Sequence, residues 1–572
     1  MKLNRLITLG AAMAGMVATA GLAQAGDGPE RGPHLRDAKP LARTVAVHAN
    51  NPLLPKGGDP GDDDTAISLD PTLSALCQSY LGLPNPYAAT GRNVDQINGD
   101  SVVSAGSQTG CNAAQNETTI AVNPRNPSNL VAGTNDYRVF NTREGRNDGS
   151  GWAYYTTNGG RTWGDVQLPH LTFQTGATGA LSDMDSAGDP VVAYGADGTV
   201  YYANIVFSRL NGGGGITVNA STDGGRTWSE PSIVQLDGVD AAGGALATDY
   251  FNDKEWITVD PASGAVYVTW TRFGPTGSPI VVSRSTDHGR TWSPFVAVNP
   301  DTAFTTGGVT PYSQGSSPQV GNDGTLRIAY ESAVCQTLNC DQATDHDAIV
   351  VATSYDGGQT FSNQEVAYDY DFPGNADTGR ATLTGENFRI NSFPQTAIDR
   401  STGTLYVTWA DDRNGQYDAL GNSLKTNGDA FLVASSDGRH WSSVKTIGTG
   451  ADEVYPAVAA DHGRVAVSFY TRTYDPNGIG LDMAYASAED VGGFNRARVR
   501  RITTQTENPQ IQFVGVGAVS GQILQGVFIG DYTAGAMGRD GVFHPCWTDF
   551  RGKPGVNTPN QDAYSQAIAI DN

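Results

Sequence analysis

The sequence predicts an all-β chain built as a β-propeller of four-stranded blades. Three observations carry this expectation. An eight-residue stretch, Ser221 to Trp228 (STDGGRTW), recurs as TTNGGRTW at Thr156 to Trp163, STDHGRTW at Ser285 to Trp292 and SYDGGQTF at Ser354 to Phe361, with a shortened SSDGRHW at Ser435 to Trp441. Such self-similarity marks a repeat architecture. The 572 residues include 71 Gly and 29 Pro, so short β-branched and aromatic runs are punctuated by turn formers. Around each copy the same order returns: an apolar strand, a turn, a second strand ending in Trp or Tyr, a third running into the repeat, and a fourth starting at its aromatic residue.

The first unit reads Thr118–Val122, Leu130–Thr134, Trp152–Thr156 and Thr162–Leu168. Further units run from Asp189 to about Val234, Lys254 to Val298, Pro318 to Val366, Phe393 to Ile447, Tyr455 to about Ile502 and Val527 to Ile570. Seven blades are expected, or six if one unit is misread. Turns such as Ala196-Asp197-Gly198 and Arg539-Asp540-Gly541 suit hairpins between first and second strands. The last unit lacks both the repeat and a clear fourth strand, so a strand from the segment between about Thr44 and Ser107 is expected to close the ring.

Ahead of the propeller (101–572) stand two other segments. Residues 1–25 have the form of an export signal: Lys2 and Arg5, an apolar Leu6–Leu22, and the small-residue site Ala23-Gln24-Ala25, which places cleavage after Ala25 and the mature chain in a secreted or periplasmic compartment. Residues 26–100 read as a flexible leader. Its acidic run, Gly57 to Asp64, lacks the ligand alternation of a calcium loop and reads as a solvated linker, although bound calcium stays open. No transmembrane segment is expected in the mature chain. Five cysteines suit an oxidising compartment: Cys335 and Cys340 are close enough to form a small ring, Cys77 and Cys111 form a second candidate pair, and Cys546 is left over. No zinc spacing occurs, no metal is assigned, and no cofactor is expected. With 36 Lys and Arg against 59 Asp and Glu, the formal charge of −23 argues against nucleic acid; the chain is expected to be a monomer, with a glycan or small anionic ligand as its partner.

The repeat resembles the Asp-box, or BNR repeat, of the sialidase-like propellers, Ser/Thr-x-Asp-x-Gly-x-x-Trp/Phe. The copies at Asp223, Asp287 and Asp356 match fully, Asn158 replaces Asp in the first, and the copy at Asp437 is one residue short. These residues are expected to brace hairpins, because Asp and Ser/Thr side chains bond backbone N–H groups of a turn. The resemblance implies a glycan-directed protein, and family sialidases hydrolyse terminal sialic acids with three arginines on the substrate carboxylate, a Tyr nucleophile activated by Glu, and an Asp acid/base. The family's Phe/Tyr-Arg-Ile-Pro motif is replaced here by Tyr137-Arg138-Val139-Phe140.

Strand parity puts the repeated turns on one face and the second-strand ends on the other. Those ends carry Arg138, Arg209, Arg272, Arg413, Arg472 and Arg551, with Glu331 in the fourth unit. Either each arginine pairs with an acidic neighbour, or Arg138, Arg272, Arg413, Arg472 and Arg551 supply a site for an anionic ligand. The first-strand starts add Asn116-Glu117, Asp189, Asp253-Lys254-Glu255, Asn391, Glu453-Val454-Tyr455 and Gly530-Asp531-Tyr532, a polar ring at the axis that suits a glycan site, a cation site or a wet channel. For sialidase-type hydrolysis, Glu331 or Glu255 would activate Tyr532 or Tyr455. The alternative is a propeller that binds a glycan, peptide or protein on this face without catalysis.

Overall fold

The structure is a computed structural model describing residues 92–98, 113–304, 308–340, 345–375, 377–419, 422–510, 512–513, 515–551 and 560–570. The expected export signal, the acidic run and Cys77 and Cys111 lie outside the described residues.

Seven antiparallel sheets succeed one another along the chain, each with four strands in line. The innermost strands are Gln115–Val122, Ser186–Tyr194, Phe251–Val259, Ser313–Val320, Gln395–Asp399, Glu453–Asp461 and Ala534–Met537. Each packs against the next, and the last packs against the first, so the sheets form a closed ring. This is the seven-bladed propeller that the repeats predict. The seventh blade takes its outermost strand, Val94–Asp95, from the N-terminal segment, in register with Tyr564 and Ser565. Closing the ring in this way covers the apolar blade faces that the first and last blades would otherwise leave open.

The core lies between blades because each sheet is apolar on both faces. Val131 and Ala153 of the first blade meet Val200 and Tyr202 of the second. Tyr267 and Val282 of the third meet Ile328 and Val350 of the fourth. Ala534 and Cys546 of the seventh meet Ile120 and Tyr154 of the first. Cys335 and Cys340 are joined by a disulfide, while Cys546 is a buried free thiol. Among the described residues no helix is long and apolar enough to cross a membrane.

The repeated stretches are the turns from third to fourth strands. At Asp223, Oδ1 accepts the N–H groups of Arg226 and Thr227, both at 3.0 Å, and Oδ2 accepts the Thr227 hydroxyl at 2.7 Å. Asp287 and Asp356 make the same bonds. Asn158 keeps the backbone bonds and reverses the last, donating to Thr162 at 2.8 Å. In the shortened copy His440 takes the threonine's place beside Asp437 at 2.7 Å. These side chains are held within their own turns, which lie on the face opposite the second-strand ends.

Candidate functional site: a buried ionic ring at the axis

The starts of the inner strands share a backbone irregularity. In the first, second, third, fourth and sixth blades the register slips where two residues oppose one, a β-bulge. The bulged residues Glu117, Asp189, Lys254 and Tyr455 have φ of 54°, 53°, 55° and 51°, the left-handed region that side chains rarely adopt, and the fourth blade has Gly315 there at 67°. A bulge re-aims side chains, and strained backbone of this kind gathers at functional sites.

Four of these residues' surroundings form one buried group. Lys254 Nζ lies 3.7 Å from Glu117 Oε1, 3.6 Å from Asp189 Oδ2 and 3.8 Å from Asp531 Oδ2, and 3.7 Å above the Tyr532 ring. These are ionic contacts longer than hydrogen bonds, and Nζ has no hydrogen-bond acceptor. Asp531 is gripped bidentately by Arg389, with both bonds at 2.7 Å. Glu117 accepts the Asp531 N–H at 3.0 Å and the Asn135 amide at 3.2 Å. Glu255 is 1 % exposed, and neither of its carboxylate oxygens has a hydrogen-bond partner.

Burial sets the protonation of this group. Burial, reinforced by Asp189, pushes the Glu255 carboxyl well above the usual carboxylate range. Asp189 is also raised by burial, with Lys254 opposing and Asp531 adding to the rise. Burial works against the charge on Lys254, but Glu117, Asp189 and Asp531 outweigh it and raise the ammonium above its ordinary value. Burial thus favours the neutral form of the Glu255 carboxyl, while the ammonium of Lys254 is held charged beside it.

Three residues expected at a catalytic site, Glu255, Tyr532 and Tyr455, gather here, but their states run against the tyrosine-nucleophile role. The Tyr532 hydroxyl donates to the Pro190 carbonyl at 3.1 Å, and that of Tyr455 to the Arg389 carbonyl at 2.6 Å. Burial pushes both phenols well above their ordinary range, whereas a nucleophile needs a lowered pKa or an adjacent base. Burial raises the Glu255 carboxyl and so favours its neutral form, the opposite of the carboxylate that would activate a tyrosine. Glu331 stands one strand further out, opposite Gln314 and Ile349, beside Asp369 and Asp371.

The arginines do not converge on one open pocket; each is held by carboxylates. Arg138 binds Asp136 and Asp165 and stacks on Trp152. Arg272 binds Asp237 at 2.9 Å and lies 3.6 Å over Tyr250. Arg413 is bidentate on Asp411, Arg472 bridges Glu386 and Asp452, and Arg551 contacts Asp549 and Glu507. Arg209 is likewise held by Asp148 at 2.8 Å. The acidic pairing that one of the two sequence readings expected is present at each of these arginines. The signal was visible: Asp136, Asp411 and Asp549 each stand two residues before their arginine, close enough for the guanidinium to fold back.

Sequence reasoning did not find Arg389 or Asn135, which sit outside the repeated positions and bind through the fold alone. It did place Lys254, Glu117, Asp189 and Asp531 at the axis.

The fold and this ring define a seven-bladed propeller with a cluster of buried charges where its inner strands begin. No family profile matches the chain, and no curated protein matches it. Among solved structures, the chain is similar to a protein of unknown function from Dyadobacter fermentans, at 14% identity and TM-score 0.39, covering 68% of this chain and 95% of that one. It is similar to Hadza microbial sialidase Hz136, at 15% identity and TM-score 0.39, over 68% of this chain and 66% of that one. It is also similar to an alpha-L-arabinofuranosidase of Fusarium graminearum, at 13% identity and TM-score 0.37, over 66% and 93%. At such identities no residue role passes from one chain to another.

Proposed function

We propose that the chain is an exported propeller that binds an extracellular glycan on the face opposite the repeated turns, without arginine-triad hydrolysis of sialosides. The observation that carries this reading is the commitment of Arg138, Arg272, Arg413, Arg472 and Arg551 to carboxylates of this chain. An anionic sugar would have to displace a buried or half-buried carboxylate from each, and breaking such pairs is unfavourable. The same face offers apolar contact. Exposed aromatics stand in the connections of this face, Phe140, Phe173 and Tyr250, the last covered on one side by Arg272, and are suited to stacking against sugar rings.

Hydrolysis is the second reading, and Glu255 favours it. A carboxyl raised by burial leans toward the neutral form a general acid needs, and Asp189 is a second carboxylate beside it. The test pairs two measurements on the mature chain. In the first, fluorogenic sialosides and arabinosides are offered from pH 5 to 8; no turnover is expected. In the second, immobilised glycans are probed with wild type, Phe173→Ala and Tyr250→Ala; retention should fall about two- to tenfold in each variant, the loss of one stacking contact. Turnover abolished by Glu255→Gln in a folded protein would replace binding with hydrolysis. Failure to retain any glycan would remove the carbohydrate reading.

A further inference from the structure

We propose that Glu331, Asp369 and Asp371 hold a calcium ion where the fourth blade passes to the fifth. One carboxylate oxygen from each lies within 4.8 Å of the other two. Oxygens bound to one calcium at about 2.4 Å stand at most about 4.8 Å apart, so the group has the span of a calcium shell. All three side chains are buried, at 3 %, 1 % and 6 % exposure. Asp369 supplies the second, separate observation. Its Oδ1 accepts the Tyr370 N–H at 2.8 Å, while Oδ2 is wholly buried and receives no donor. A buried carboxylate oxygen without a donor is unfavourable unless a cation meets it.

The surroundings increase the demand for positive charge. Asp347 faces Asp369 across the strand pair, and Asp411 stands nearby, its own carboxylate bound to Arg413. The donor set is all oxygen, with no thiolate or imidazole, which suits a hard cation and not zinc or copper. The other grouping of this kind, Cys335, Cys340 and Asp345, has its two sulfurs joined in a disulfide and offers no thiolate.

The ion would tie the end of the fourth blade's second strand (Glu331) to the end of its outer strand (Asp369) and to the connection that follows (Asp371). The experiment is calcium titration of the chelator-stripped full chain by calorimetry, with thermal melts in EDTA, calcium and magnesium. Wild type is expected to bind calcium and to melt higher in calcium than in EDTA. Asp371→Asn and Glu331→Gln should each weaken this binding by about tenfold or more. Equal calcium affinity in wild type and both variants would place any bound ion elsewhere and overturn the assignment. If a variant does not fold, the wild-type melt decides: a midpoint unchanged between EDTA and calcium overturns it as well.

Discussion

Lys254→Met is the substitution that most directly probes the axial ring. It keeps the length and apolar stem of the side chain and deletes the ammonium that faces three carboxylates at 3.6–3.8 Å. At that separation each ion pair has about 4 kcal/mol of Coulomb energy at an effective dielectric of about 20, much of it offset by desolvation. Removing one partner of a buried pair costs about 3–5 kcal/mol, because the remaining charge stays buried without compensation. Arg389 still neutralises Asp531, and loss of the ammonium from the Tyr532 face adds about 1–2 kcal/mol. We therefore expect a loss of about 4 kcal/mol at pH 8, read from guanidinium unfolding followed by tryptophan fluorescence. At pH 5 the loss should shrink. Without Lys254 the Asp189 carboxyl, already raised, rises further; the native state then holds a proton that the unfolded chain releases, so stability falls as pH climbs through that window. The double variant Lys254→Met/Glu117→Gln should recover part of the loss, since the two groups are coupled. A loss below about 1 kcal/mol, or one equal at both pH values, would refute the claim that the ring is held by buried charge.

Two more expectations concern pH. Glu255 titrates near 4.5 when unfolded but well above that in the native ring, so its contribution is fully present below about pH 4.5 and is lost as pH rises toward the native value. Glu255→Gln should match wild type near pH 4 and become progressively more stable than it toward pH 8; parallel curves would contradict the raised carboxyl. His544 is 2 % exposed and is pushed down to about 4 by burial, with Asp540 opposing, from an ordinary 6.5. The unfolded chain therefore takes up a proton first, and roughly 3 kcal/mol of stability is lost as pH falls from 6.5 to 4. His544→Gln should flatten that acid limb, as measured by the unfolding midpoint at pH 4, 5.5 and 7.

Much of the fold was legible because each blade repeats its own local chemistry. Turn residues are short-range signals: Asp223 bonds groups three and four residues away, so the motif carries its structure within itself. Strand parity then put the arginines and the inner-strand starts on the right face. Side-chain partners were harder, since they depend on which strands lie side by side. Asp237 reaches Arg272 from the preceding blade, and Glu386 reaches Arg472 from a connection far upstream. The group of Glu331, Asp369 and Asp371 exists only because two strands end together in register, which no spacing in the chain announces.

The bulges explain why the ring itself was only half legible. Strict alternation would send Lys254 and Glu255 to opposite faces of their strand. The register slip between Asp253 and Trp256 makes two residues oppose one, and both side chains end up buried at the axis. A glycine at such a position would have announced it, as Gly315 does in the fourth blade, but Glu117, Asp189, Lys254 and Tyr455 hide it. Holding a non-glycine residue in the left-handed region costs about 1 kcal/mol or more. Four such residues at one level of the propeller therefore carry several kcal/mol of local strain, on the order of what the Lys254 contacts return. The strain and the charges belong to one arrangement: the bulge brings paired ionisable residues inward, and their mutual attraction holds the bulge in place.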